Sequence, residues 1–247
     1  MGNPVVHFEV NGSEPELATK FYGELFGWHL QHMPEMDYWT VDTHGGRGIN
    51  GGLAQAREGQ APFVTFYVEA DDIGALLDKA QSAGGKSIVP VTEIPNVVTF
   101  ALFADPDGNV IGLVKSEPRT DAPGVSSGDG APVTWFEILG PDPKRAWDFY
   151  GQLFGWTVED MSGEGFIYGQ VDTGGGKGIP GGIGSSPDGL GHVNLYAEVD
   201  DPQKYLERAE SLGGKTFMPA TQMGEGTWIA LLIDPQGMNF GLVKPTG

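Results

Sequence analysis

Phe21-Tyr22-Gly23-Glu24-Leu25-Phe26-Gly27-Trp28 returns later in the chain as Phe149-Tyr150-Gly151-Gln152-Leu153-Phe154-Gly155-Trp156, with Glu24/Gln152 the only change. Working outward, Val41-Asp42-Thr43 returns as Val171-Asp172-Thr173. Gly45-Gly46-Arg47-Gly48-Ile49-Asn50-Gly51-Gly52 returns as Gly175-Gly176-Lys177-Gly178-Ile179-Pro180-Gly181-Gly182. Gly84-Gly85-Lys86 matches Gly213-Gly214-Lys215, and Asp105-Pro106-Asp107-Gly108 matches Asp234-Pro235-Gln236-Gly237. Chance does not keep so many segments in order, so the chain is a tandem duplication.

Residues 118–131 are polar and rich in Pro, Gly and Ser, which predicts a flexible, Pro-stiffened linker. Residues 1–117 and 132–247 are then two domain-sized halves. Each is expected to bury a core of its own and to fold alone.

Each half reads as a strand, a helix and three strands, twice over. Val6, Phe8 and Val10 share one face of the first strand, and Val5, His7 and Glu9 the other. Ser13 and Glu16 have capping-box spacing, Leu17, Phe21 and Leu25 form a helical stripe, and Gly27 ends it. In the second copy Asp142-Pro143 opens the helix. Val64, Phe66 and Val68 alternate with Phe63, Thr65 and Tyr67 on the strand that restarts the pattern, and Asp71-Asp72 opens its helix. The order βαβββ–βαβββ predicts an α+β fold, with the helix stripes covering one strand face. The opposite face carries His7, Glu9, Thr65 and Tyr67, and in the second copy Trp135, Glu137, His192, Asn194 and Tyr196. Polar and aromatic groups turned away from the helices predict a concave, ligand-sized surface in each half.

Composition excludes several classes. The 247 residues hold 14 Lys+Arg against 33 Asp+Glu, a formal charge of −19, which disfavours nucleic acid and anionic membrane as partners. The absence of cysteine removes disulfides, thiolate zinc sites and a Cys nucleophile. No apolar run has membrane-spanning length, and the first residues lack the pattern of a secretory signal, so a cytoplasmic protein is expected. Its expected partner is a small molecule, and its expected state a two-domain monomer or a homodimer. The glycine-rich stretch 45–52 lacks the Gly-Lys-Ser/Thr ending of a phosphate loop and is expected to be a mobile hairpin or lid edge.

The doubled FYGxLFGW motif, the Gly-Gly after the second helix of each half and the Asp-Pro-x-Gly turn before its last strand resemble the vicinal oxygen chelate superfamily, the group of glyoxalases, bleomycin-resistance proteins and extradiol dioxygenases. The resemblance spans nearly the whole chain except the linker. It implies two tandem glyoxalase-like domains, each of paired βαβββ modules forming a curled mixed sheet around a cup. It also implies metal ligands on the first, fourth, fifth and eighth strands. Those positions fall on His7 and Trp135, on residues 50–54 and 180–184, on Thr65 and Asn194, and on Gly112 and Gly241. A divalent ion needs three or four protein ligands, so neither a metal nor another cofactor is expected.

His7 and Glu9 are the expected acid–base pair of the first cup. Glu9 and Glu137 occupy equivalent places, where each serves either to move protons or to accept bonds from backbone or tyrosine and hold the sheet together. Thr65, Tyr67, Glu137, His192, Asn194 and Tyr196 are expected to line the cups, with Trp39, Trp135, Trp228 and Tyr38 stacking on a flat ligand; Trp28 and Trp156 belong to the core. The resemblance and these residues imply binding, with or without conversion, of a small carbonyl-bearing or aromatic metabolite by a glyoxalase-like lyase or isomerase lacking a metal. The alternatives are a non-catalytic protein that sequesters a drug or metabolite, and a metal-dependent lyase or dioxygenase.

Overall fold

A computed structural model describes residues 2–56, 61–115, 124–224 and 226–245. The first repeat forms β1 (Val5–Gly12), α1 (Pro15–Phe26), β2 (His29–Met33), β3 (Tyr38–Asp42), β4 (Asn50–Gln55), β5 (Phe63–Ala70), α2 (Ile73–Ser82), β6 (Lys86–Ile94), β7 (Val98–Ala104) and β8 (Val110–Lys115). The second forms β9 (Val133–Gly140), α3 (Pro143–Phe154), β10 (Thr157–Asp160), β11 (Tyr168–Asp172), β12 (Gly181–Ser185), β13 (His192–Glu198), α4 (Pro202–Ser211), β14 (Lys215–Met223), β15 (Thr227–Ile233) and β16 (Asn239–Lys244). Each repeat makes one open, mixed, eight-stranded sheet, ordered β2-β3-β4-β1-β5-β8-β7-β6 and β10-β11-β12-β9-β13-β16-β15-β14. Hairpin neighbours run antiparallel, and β12–β9, β5–β8 and β13–β16 run parallel. The α+β expectation holds.

Local signals work as the residues dictate, with exceptions. Asp72, Asp142 and Asp201 cap α2, α3 and α4 by accepting from the backbone N–H three residues on. Gly27 and Gly155 end α1 and α3 in the left-handed region, at φ 70° and 71°. The Ser13/Glu16 capping box does not form. Pro15 takes the first helical position, Glu14 becomes the N-cap without a side-chain bond, and the Glu14 N–H donates to Gln236 instead, at 2.6 Å. Leu17 is exposed; the buried stripe is Ala18, Phe21, Tyr22, Leu25 and Phe26.

Compactness divides the chain differently from the sheets. One unit holds residues 1–7, 65–122 and 135–193, the other 8–64, 123–134 and 194–247. Each unit thus takes one half of each repeat. The cause lies in the repeated motifs, whose bonding groups meet partners from the other copy.

In the first unit, the Tyr150 hydroxyl donates to Asp105 Oδ2 at 2.8 Å. Asp105 Oδ1 accepts the N–H groups of Asp107 and Asn109, both at 2.9 Å, so the carboxylate closes its own turn as well. Trp156 Nε1 donates to the Asn3 carbonyl at 2.7 Å, Lys177 pairs with Glu69 at 2.7 Å, and Val5 bridges Ile179. Phe66 packs on Phe136 with ring centroids 4.6 Å apart.

The second unit repeats the scheme with roles exchanged. The Tyr22 hydroxyl donates to Asp234 Oδ2 at 3.0 Å, Trp28 Nε1 to the Ala131 carbonyl at 2.7 Å, Arg47 pairs with Glu198, and Ile49 bridges Val133. Phe240 packs among Tyr22, Phe26 and Trp28.

Three expectations change. The repeats do not bury separate cores, because the repeated Tyr, Trp and basic positions of one copy bond to the other. The latter part of the linker is a docked strap: the Ser126 hydroxyl donates to Asp42, and the Ala131 N–H donates to the Phe26 carbonyl at 2.9 Å. Residues 118–123 of the expected linker lie outside the described residues. The stretch 45–52 is likewise a docking edge, where a Cβ on Gly48 would stand 2.2 Å from the Val133 carbonyl oxygen.

Candidate functional site

In the first unit, β1 ends its share of the chain at His7, whose ring meets Tyr67 edge-on at 5.7 Å. Burial pushes the imidazole down to about 4, so it is neutral at physiological pH. Tyr67 lies across Gly112, its direct partner in the β5–β8 pairing; a Cβ there would stand 2.3 Å from Tyr67 Cδ1. Thr65 is fully buried and its hydroxyl donates to the Val110 carbonyl at 2.7 Å, which ties β5 to β8.

The same unit holds the corresponding face of the second repeat. Trp135 Nε1 donates to the Tyr168 hydroxyl at 3.3 Å, and that hydroxyl donates to Glu137 Oε1 at 3.0 Å. Burial first, and the Glu137 charge next, raise the Tyr168 phenol far above its ordinary range, so it stays a donor. A Cβ on Gly182 would stand 2.0 Å from the Tyr168 hydroxyl oxygen. His192, on the first residue of β13, pairs with Asp188.

The second unit shows the first repeat's version of this motif. Glu9 is 9% exposed and accepts from Asn11 Nδ2 at 2.9 Å. Tyr38 donates to Glu9, and burial, then that carboxylate, raise its phenol well above 10. The glutamates therefore anchor tyrosines, one of the two roles open from sequence. Sequence reasoning passes over Tyr168; the cue is its place, matching Tyr38, three residues before a repeated Val-Asp. Trp39, one residue after Tyr38, points to the other face of β3 and stacks on His32 at 4.2 Å. Asn194 and Tyr196 are buried, with Tyr196 across Gly241 as Tyr67 is across Gly112, while Trp228 is 38% exposed on β15. Trp28 and Trp156 are core, as expected.

The positions that the resemblance assigns to metal ligands do not fit a metal. Gly112 and Gly241 offer no donor, and tyrosine rings occupy the space a longer side chain would need. Among the described residues no group of three or more His, Cys, Asp or Glu is placed to hold an ion. Gly112→Ala is expected to destabilise the protein by about 1–3 kcal/mol through overpacking, and Tyr67→Ala added to it should cost less than Tyr67→Ala alone. Urea midpoints of the two singles and the double check this; additive losses would show that the ring does not dictate the glycine.

Comparison with known proteins gives the family of both repeats. Residues 5–113 match the Glyoxalase/Bleomycin resistance protein/Dioxygenase superfamily, and residues 136–243 match a glyoxalase-like domain. The chain belongs to that superfamily, with two of its domains in tandem. It is 26% identical over 249 residues to CFP32 of Mycobacterium tuberculosis (strain CDC 1551 / Oshkosh), covering 96% of this chain and 93% of that protein. It is 23% identical over 265 residues to the anthracycline biosynthesis protein DnrV of Streptomyces peucetius, covering 96% and 91%. Among solved structures, the Mn(II)-bound glyoxalase from Novosphingobium aromaticivorans shares the fold at a TM-score of 0.67 and 15% identity, covering 98% of this chain and 81% of that one. The halotolerant catechol dioxygenase BphC does so at 0.67 and 14%, covering 99% and 87%. No helix of the described residues is long and apolar enough to cross a membrane.

Proposed function

We propose that this tandem glyoxalase-like protein binds a small aromatic or carbonyl-bearing metabolite without a metal. Its superfamily domains span residues 1–117 and 132–247, joined by 118–131. The observation that carries the reading is the tyrosine laid across glycine at the last-strand position of both repeats, where a carboxylate ligand would otherwise stand. Aromatic rings and hydrogen-bonding groups remain: His7 beside Tyr67, and the Trp135–Tyr168 pair braced by Glu137. Such groups suit stacking and carbonyl recognition. The likeness to an anthracycline biosynthesis protein supports an aromatic ligand.

Binding is favoured over turnover at His7. A general base works best with a pKa near the working pH, and an imidazole held near 4 is far below it. Glu9 is committed to Tyr38 and Asn11. In this reading His7 hydrogen-bonds the ligand and Glu9 braces the tyrosine. The test is titration of the full chain with alizarin, a flat hydroxylated aromatic diketone, followed by tryptophan fluorescence with and without EDTA. Binding is expected to be indifferent to EDTA, and His7→Ala should weaken it by about one hydrogen bond, roughly 0.5–1.5 kcal/mol. Protein purified without chelator should hold less than one Zn, Ni, Fe or Mn per chain. Stoichiometric metal, or binding abolished by EDTA, would sink the reading.

A further inference from the structure

The second repeat carries an imidazole–carboxylate pair at the start of β13 that has no counterpart at the matching place on β5. His192 Nε2 lies 2.9 Å from both Oδ1 and Oδ2 of Asp188. The matching position on β5 is Phe63. A carboxylate only accepts, so Nε2 carries a proton, and when the ring is neutral its lone pair sits on Nδ1. Asp188 is fixed in turn, accepting from the Ser186 hydroxyl and from the Leu190 N–H at 3.0 Å. These bonds, the Ser186 hydroxyl foremost, hold its carboxyl well below the usual range. The acid is therefore ionised beside the ring and stabilises an imidazolium when one forms. Both side chains remain accessible, at 34% and 53%.

Exposed apolar side chains stand on the segments tied to this pair. The Ser186 N–H donates to the Gly140 carbonyl at 2.9 Å, which fixes this segment at the end of β9. The Ser185 N–H donates to the Ile167 carbonyl at 2.9 Å, and Ile167 returns a bond to the Ser185 hydroxyl at 3.2 Å, which ties the segment to the start of β11. Met161 and Phe166 in the β10–β11 connection and Leu190 beside Asp188 are 50%, 49% and 62% exposed. Their segments are bonded together, so this apolar surface is gathered at one end of the sheet rather than scattered.

We propose that Asp188 and His192 form a proton-accepting site for the hydroxyl of a hydroxylated aromatic ligand whose ring rests on the apolar side chains around Phe166 and Leu190. The ligand O–H bond breaks, an N–H bond forms at His192 Nδ1, and the phenolate pairs with the imidazolium that Asp188 stabilises. No other reactant is needed. Asp188 is a positioning residue, since it acts through the ring. The proposal rests on the binding function above and narrows its ligand to hydroxylated aromatics.

Alizarin tests it as well, because its absorption band moves to longer wavelength when its hydroxyl ionises. The dye is titrated into the full chain in buffer below its own first ionisation. The bound dye should show the phenolate band. His192→Gln should remove that band and weaken binding roughly ten- to hundredfold, the loss of a hydrogen bond to a charged group. Asp188→Asn should reduce the band with a smaller loss of affinity. Urea midpoints near the wild-type value establish that the variants fold. Binding without a phenolate band, or a band that survives His192→Gln, would overturn the proton-accepting site and leave the binding function standing. No binding by the wild type would overturn both.

Discussion

Expressed apart, residues 1–118 and 131–247 should each lose the cooperative unfolding of the whole chain, and co-expression should restore it. Each half loses every partner its repeated motif bonds to. Tyr22 and Trp28 go without Asp234 and the Ala131 carbonyl, and Tyr150 and Trp156 without Asp105 and the Asn3 carbonyl. Phe240 leaves the ring cluster of Tyr22, Phe26 and Trp28, and Phe66 leaves Phe136 and Trp156. A fully buried aromatic side chain is worth about 1.5–3 kcal/mol, and a whole domain is stable by only about 5–15 kcal/mol. Three or four such losses per half therefore consume the margin. The first repeat nevertheless carries both Tyr22 and Asp105, and both Arg47 and Glu69, so any folded fraction of that half alone should be a two-fold dimer. Urea melts with light scattering decide it: a folded monomer of either half at the midpoint of the whole chain would refute this account. Tyr150→Phe in the whole chain offers a finer check, expected to cost about 1.5–3 kcal/mol for a bond to a buried carboxylate.

The duplication, the element order and the strand faces are legible because each is written in local pattern: alternation for strands, i to i+4 spacing for α1, and acceptor residues before the later helices. Which copy supplies a partner is not legible. Each copy holds both a motif tyrosine and a turn aspartate, Tyr22 with Asp105 and Tyr150 with Asp234. Sequence alone is therefore equally consistent with bonds inside a copy and with the exchanged pairs that form. The polar composition of residues 118–131 suggests freedom, yet a chain bonds through backbone as well as side chains, and the carbonyl of Ala131 is what Trp28 needs. At the site, Glu9 and Glu137 stand out by their repetition, but only the position of Tyr38 and Tyr168 across Gly52 and Gly182 shows what they hold. The Asp188–His192 spacing is visible in the sequence; that a turn aims the carboxylate at the ring is not.

Between pH 6.5 and 4 the wild-type protein should lose about 3 kcal/mol of stability that a His7→Gln variant keeps. His7 is half-buried on β1, and burial pushes its imidazole from 6.5 down to about 4. Below pH 6.5 the unfolded chain takes up a proton at this ring and the folded chain does not, so the unfolded state binds more protons throughout that window. Each pH unit then costs up to about 1.4 kcal/mol, and the loss levels off below 4, where both states are charged. The remaining exposure of His7 lowers the figure. Asp234 and Asp107 act in the opposite sense. Burial raises both, so each takes its proton earlier in the folded chain and adds stability as pH falls through its folded value. Subtracting the variant's profile from the wild type's removes their share, and the difference should slope only between about 4 and 6.5. A flat difference would mean that His7 is charged or freely hydrated in the folded protein. It would then lie near its ordinary pKa, and the first repeat would regain the proton-transfer group that the proposed function denies it.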